Sequence, residues 1–196
     1  MRRACSALAL VLLAGCGDTP LAEALRARPE ALPVVQRVPG PALIVQGGRQ
    51  PVTFVAVQAT GARRLWRADG GLAMATDGAR IVATAGLGQM LVATRLDGAD
   101  PLEDPAALLG RQATSRRVVD LQGAARDPAS MRFGVALECR LEGRQDGAFV
   151  VVSERCAGGG IGFTNRFWAP VEGGAVVRSE QWVGEGVPML SVEHVQ

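Results

Sequence analysis

The stretch FGVALECRLE, residues 133–142, sets Phe133, Val135, Leu137, Cys139 and Leu141 at every second position, with Ala136, Glu138, Arg140 and Glu142 between them. Successive side chains of a β-strand point to opposite faces, so this alternation predicts a strand with one face packed and the other in water. Such half-solvated strands are typical of antiparallel sheets. Downstream, Phe149 to Arg155 supplies a partner strand, and Gly162 to Ala169, Ala175 to Trp182 and Met189 to Val195 supply three more. Upstream, β-branched or apolar stretches run from Leu43 to Val45, Val52 to Gln58, Arg63 to Arg67, Leu72 to Thr76, Arg80 to Thr84 and Met90 to Leu96, with another near Ser115 to Leu121. Asp69-Gly70-Gly71 and Asp77-Gly78 break these runs, because aspartate and glycine accept the positive φ that tight hairpins demand. The expected fold is mainly β: an antiparallel barrel-like or sandwich domain of about ten strands with one short helix.

The helical signal is small. LAEALRARPEAL, residues 21–32, has room for one or two turns interrupted at Pro29, and Pro33, Pro39 and Pro41 oppose any regular element before residue 42. PLEDPAALLG, residues 101–110, reads as a short helix or loop with Pro105 in a first turn.

The chain opens MRRACSALALVLLAGC: a basic pair, an apolar run from Leu8 to Leu13, then small residues before Cys16. That run is too short to span a bilayer and reads as an export signal. Its end, LAGC, resembles the bacterial lipobox, which implies cleavage before Cys16 and acylation of that cysteine. Two or three acyl chains anchor stably where one does not. The expected division is therefore a signal at 1–15, a lipidated tether with a short helical segment at 16–41, and a single β domain at 42–196. Gly17, where related lipoproteins of the inner membrane often carry aspartate, favours the outer membrane, periplasmic side. Removing residues 1 to 15 from 196 leaves 181, enough for one domain with a real core. The same cut takes Arg2 and Arg3, leaving 19 basic residues of the 21 against 19 acidic ones, and with no net charge a nucleic-acid surface is not indicated.

Cys139 and Cys156 lie in the exported part, where disulfides form. A two-residue turn at Asp146-Gly147 sets Cys139 opposite Glu154, with Cys156 diagonal to it at about 7 to 8 Å, beyond easy bridging. A four-residue loop from Asp146 to Phe149, or a bulge, sets the cysteines face to face, and a disulfide is expected. No metal site is expected, since the only histidine, His194, is remote in sequence and reads as a partly exposed residue of a last strand. No Gly-x-Ser-x-Gly elbow occurs, and Gly158 to Gly160 lack a phosphate-loop lysine. Asp100, Glu103 and Asp104 read as a solvated loop, and Glu138, Glu154, Glu180 and Glu193 as outward strand positions, so neither an enzyme nor a cofactor is expected.

Two stretches carry family character. ARRLWRADGGLAMATDGARIVATAGLGQML holds Trp66, Asp69, Gly70, Thr76 and Gly78 ahead of Arg80, Thr84 and Gly86. IGFTNRFWAPVEGGAVVRSEQWVGEGVPMLSVE holds Asn165, Phe167 and Trp168 before Ser179, Gln181, Trp182 and Gly184. Together with the leader they resemble the group 4 capsule polysaccharide lipoprotein family. The resemblance implies a mainly antiparallel barrel-type fold and a periplasmic role in polysaccharide assembly or secretion, with polysaccharide or secretion proteins as partners. It implies no catalytic residue. Read as residues alone, Asn165, Phe167, Trp168, Arg178 and Trp182 offer rings and hydrogen-bonding groups for a shallow glycan or partner contact. The competing expectation is that Trp66, Trp168 and Trp182 fill the core with their N–H groups on backbone carbonyls. The function expected is that of a lipid-anchored, non-enzymatic accessory protein; the alternative is a periplasmic polysaccharide-modifying hydrolase.

Overall fold

The structure is a computed structural model that describes residues 40–125 and 127–195. Cys16, the signal and the helical stretch of the tether lie outside the described residues. Twelve strands follow: β1 (Ala42–Gln46), β2 (Val52–Thr60), β3 (Arg63–Arg67), β4 (Ala73–Asp77), β5 (Arg80–Ala85), β6 (Gln89–Asp97), β7 (Gln112–Gly123), β8 (Arg132–Asp146), β9 (Phe149–Gly158), β10 (Ile161–Pro170), β11 (Arg178–Gln181) and β12 (Leu190–Val195). They form one sheet in the order β5-β4-β3-β2-β1-β12-β11-β10-β9-β8-β7-β6. Every ladder is antiparallel, and apart from β1 with β12 every pair is consecutive in sequence.

The two outermost strands, β5 and β6, are themselves joined by the short turn Gly86 to Gly88, so the sheet rolls into a near-barrel with its seam between them. Rolling hides the strand edges of an open sheet of this size, which otherwise template aggregation. At the seam the N–H of Leu91 on β6 donates to Thr84 Oγ1 on β5 at 3.0 Å, a side chain standing where a ladder bond would be.

Local chemistry sets the turns. Gly61-Ala62, Gly78-Ala79, Gly147-Ala148 and Gly159-Gly160 each link paired strands as two-residue loops, and the first glycine of each has φ between 54° and 60°. Both favoured hairpin turns require that positive value at the first central position. The turn after Asp77 thus lies one residue later than expected from Asp77-Gly78. The turn after Asp146 is placed in the same way, at Gly147-Ala148, and that placement aligns the cysteines.

With Asp146 opposite Phe149, Cys139 falls directly opposite Cys156, their Cα atoms 4.0 Å apart, and the two are bridged. This is the geometry of the expected four-residue loop from Asp146 to Phe149.

One part of the opening alternation fails. Leu137, Cys139 and Leu141 are buried, but Phe133 is 66 % exposed. Across β7 and β8 the register changes from Val119 opposite Val135 to Leu121 opposite Arg132, and Gly134 takes φ +65° with its N–H donated to Asp120 Oδ1 at 2.7 Å. This bulge inserts one residue and turns Phe133 to the other face, as a one-residue slip must.

Antiparallel alternation gives the barrel an upper end, carrying the turns after β1, β3, β5, β7, β9 and β11, and a lower end, where the described chain enters at Gly40 and β12 finishes. Inside, one apolar cluster includes Leu43, Phe54, Trp66, Met74, Leu121 and Leu190. The second includes Val150, Val152, Phe167 and Val176. It is closed by Leu102 and Leu108 from the segment between β6 and β7, where the expected short helix is two 3-10 turns, Pro101–Glu103 and Pro105–Leu108. That segment rests on Gly143, where a Cβ would come within 2.7 Å of the Leu108 carbonyl oxygen.

Replacing Cys139 and Cys156 together by alanine is expected to lower unfolding stability by about 3 kcal/mol, read as a fall in the urea midpoint relative to the oxidised protein. An unchanged midpoint contradicts the bridge.

Candidate functional site

Between the two apolar clusters the barrel holds charge. Arg80, at the start of β5, is 3 % exposed, and Glu154, from the middle of β9, is fully buried. Arg80 grips Asp100 with two parallel bonds, Nε to Oδ2 at 2.5 Å and Nη2 to Oδ1 at 2.9 Å, and donates Nη1 to Glu154 Oε1 at 2.8 Å. The other Glu154 oxygen accepts from Asn165 Nδ2 at 2.8 Å and, more weakly, from Arg117 Nη1 at 3.4 Å. Asn165 Oδ1 accepts the N–H of Trp182 at 2.8 Å. Gln181 completes the layer, accepting from the N–H of Ile81 and donating to the Ala79 carbonyl and to Ser179 Oγ. Two guanidinium groups thus meet two carboxylates in a neutral, largely water-free layer.

The two cations differ. Burial works against the charged form of Arg80, but the attraction of Glu154 and Asp100 outweighs it and holds the guanidinium above its ordinary pKa. For Arg117 burial wins: together with the neighbouring charge of Arg80 it lowers the guanidinium below its ordinary value, although Glu154 pulls the other way. Rings line both cations, Arg80 lying 5.6 Å from the Phe167 centroid and Arg117 5.5 Å from that of Phe163.

Glu154 was expected to point outward; it points inward. It is in phase with Val150, Val152 and Cys156, and the strand's alternation overrides the residue's charge because Arg80, Arg117 and Asn165 meet it there. The same phase signal places Arg117 with Val119 and Leu121. Cys139, Cys156 and Glu154 bring their ligand atoms together, but both sulfurs are spent in the disulfide, so the group is not a metal site.

The five residues singled out for glycan or partner contact divide between the faces of the sheet. Asn165 and Phe167 are buried, and Trp182 is stacked on Phe163 with centroids 4.5 Å apart. Trp168 and Arg178 lie together on the outside, opposite each other in register, with the guanidinium carbon 4.7 Å from the ring centroid. Trp66 is the fully buried tryptophan, and its N–H donates to Thr76 Oγ1 at 3.0 Å rather than to a carbonyl.

Trp168 and Arg178 begin a strip across the outer face of β11 to β8. Glu180 accepts from Arg178 at 3.3 Å and from Arg166 at 3.1 Å. Arg166 then borders a shallow depression of about 460 Å³ lined also by Arg111, Glu142, Arg144, Ser153 and Arg155. Arginine outnumbers acid along it. A planar ring beside forked cations and hydroxyls can take a sugar face and its hydroxyl or carboxylate groups.

The sequence matches the family model described as "Group 4 capsule polysaccharide lipoprotein gfcB, YjbF" over residues 24–195. The chain belongs to that capsule lipoprotein family. In fold the chain is similar to the crystal structure of the hypothetical lipoprotein YmcC from Escherichia coli K12, which superposes with a TM-score of 0.66 over 92 % of this chain and 98 % of that one, at 18 % identity. At that identity the likeness speaks for the fold. No curated protein matches the chain. Membership in a family of capsule lipoproteins implies a membrane-anchored protein of the periplasm and a connection with capsule polysaccharide machinery.

Glu154→Gln leaves Arg117 buried without a counter-charge, and is expected to lower stability by about 3–5 kcal/mol in urea unfolding. His194 is the second titration to check. Burial, with the nearby Arg64, lowers its pKa in the folded protein. The unfolded chain therefore binds the proton more readily, and stability falls as pH drops through about 6.5, the unperturbed histidine value. His194→Gln is expected to flatten the melting-temperature profile between pH 7.5 and 5.5.

Proposed function

We propose that the protein is a lipid-anchored accessory component of capsule or exopolysaccharide assembly or export, held on the periplasmic side of the outer membrane and acting by binding rather than by catalysis. The observation that carries this reading is the family match, which runs over residues 24–195 and so takes in all twelve strands. In this reading residues 1–15 are a signal, Cys16 carries the acyl chains, residues 16–41 are the tether and residues 42–196 are the working domain. Anchoring confines the domain to a thin layer, so modest affinity for polymer or for a secretion protein suffices.

The polymer contact is assigned to the outer strip that starts at Trp168 and Arg178. Their stack fixes the ring's orientation before any ligand arrives, which cuts the entropy lost on binding. The interior favours this reading over the hydrolase. Glycoside hydrolysis needs one carboxyl free to give a proton and a second free to attack or activate water. Glu154 and Asp100 are instead both committed to Arg80.

Titrating the chain from Gly17 onward with the polymer of its own cell is expected to give saturable binding. Trp168→Ala is expected to weaken it by about two- to tenfold, the loss of one ring contact, without moving the melting temperature. Trp182→Ala, inside the barrel, is expected to unfold the domain instead of altering affinity alone. Absence of saturable binding at high polymer concentration overturns polymer contact and leaves a protein partner as the ligand.

A further inference from the structure

The upper end of the barrel is open to a pocket of about 330 Å³ that the proposed function does not use. Its floor is core: Val45, Phe54, Met74 and Leu190 are each at most 5 % exposed. Its rim comes from the turns after β1, β3, β5 and β11, with Leu87 and Val187 leaning in half-buried. No charged side chain lines it, although 20 % of the chain is charged. Its polar side chains are Gln50, exposed at the mouth, and Thr84, whose hydroxyl already accepts the N–H of Leu91.

Water in such a space finds few partners, and apolar cavities of even about 150 Å³ take up hydrocarbon readily. The volume falls in the range of small-ligand sites, about 300–1,000 Å³. A sugar is the wrong occupant, because its hydroxyls would lose water and gain nothing from valine, leucine and methionine. A charged peptide is excluded on the same ground.

We infer that this pocket holds one hydrocarbon chain of a lipid whose headgroup stays in solvent at the rim. The occupant proposed is a separate lipid molecule, entering at the end of the barrel opposite Gly40. The glycines of the rim keep the mouth wide: Gly48 and Gly88 both line it, neither has positive φ, and a Cβ on either meets nothing within 4 Å. A Cβ is therefore tolerated at either position, and a large side chain at the mouth is expected to obstruct entry.

The test is titration of the chain from Gly17 to Gln196, free of detergent, with cis-parinaric acid, following its fluorescence and its displacement by palmitate. Saturation at one probe per protein is expected. Gly48→Phe and Gly88→Phe are each expected to weaken binding at least tenfold with unchanged circular dichroism. Leu87→Asp, which sets a charge in the mouth without touching the floor, serves as the independent variant and is expected to weaken binding by a similar factor. The inference is overturned by an absence of saturable binding, or by binding that all three folded variants retain. None of these outcomes depends on polymer affinity, so the two functions succeed or fail separately.

Discussion

The barrel depends on the contact between Arg80 and Glu154. These residues sit at opposite sides of the rolled sheet, on β5 and β9, and both are almost entirely removed from water. Each alone would cost several kcal/mol to bury. Together, with Asp100 gripping the remaining face of the guanidinium and Asn165 the remaining carboxylate oxygen, they form a cross-piece that only one arrangement of the strands satisfies. Apolar clusters on either side tolerate small shifts; a bidentate ion pair does not. The layer therefore sets how β5, β9, β10 and the segment after β6 meet.

That cross-piece also divides the work of the molecule. The interior is committed to structure: a disulfide, two apolar clusters and a buried hydrogen-bonded layer leave Asn165, Phe167 and Trp182 as parts of the scaffold. Chemistry available to a partner lies on the outer face of β8 to β11 and at the upper mouth. The two surfaces differ in kind, one rich in arginine with a tryptophan at its edge, the other uncharged. On the proposed reading the first takes a polar polymer and the second a hydrocarbon.

Much of the strand layout was legible in the sequence because alternation and glycine punctuation are local signals. Arg63 to Arg67 was read with the bounds that the fold gives it, and the cysteine pairing followed once the Asp146 to Phe149 loop was fixed. Phe133 was misread because nothing in FGVALECRLE marks Gly134 as a bulge rather than an ordinary outward position; Asp120, which holds its N–H, lies on another strand. Glu154 was misread for a related reason. A carboxylate in phase with valines is normally solvated, and its burial depends on three partners contributed by β5, β7 and β10. The candidate contact set divided for the simplest cause: neighbours in a strand face opposite ways, so Phe167 and Trp168 cannot share a surface.

The seam between β5 and β6 sets where the cylinder can yield. Every other junction is laced by main-chain bonds, whereas here consecutive strands meet with Thr84 reaching across to Leu91 and no ladder. Amides of β5 and β6 that face this edge have no ladder partner across it, whereas β8 and β9 are laced on both sides, so local opening costs least along the seam. The turn from Gly86 to Gly88 also borders the uncharged mouth, so the one unlaced edge of the wall ends at the rim of the pocket.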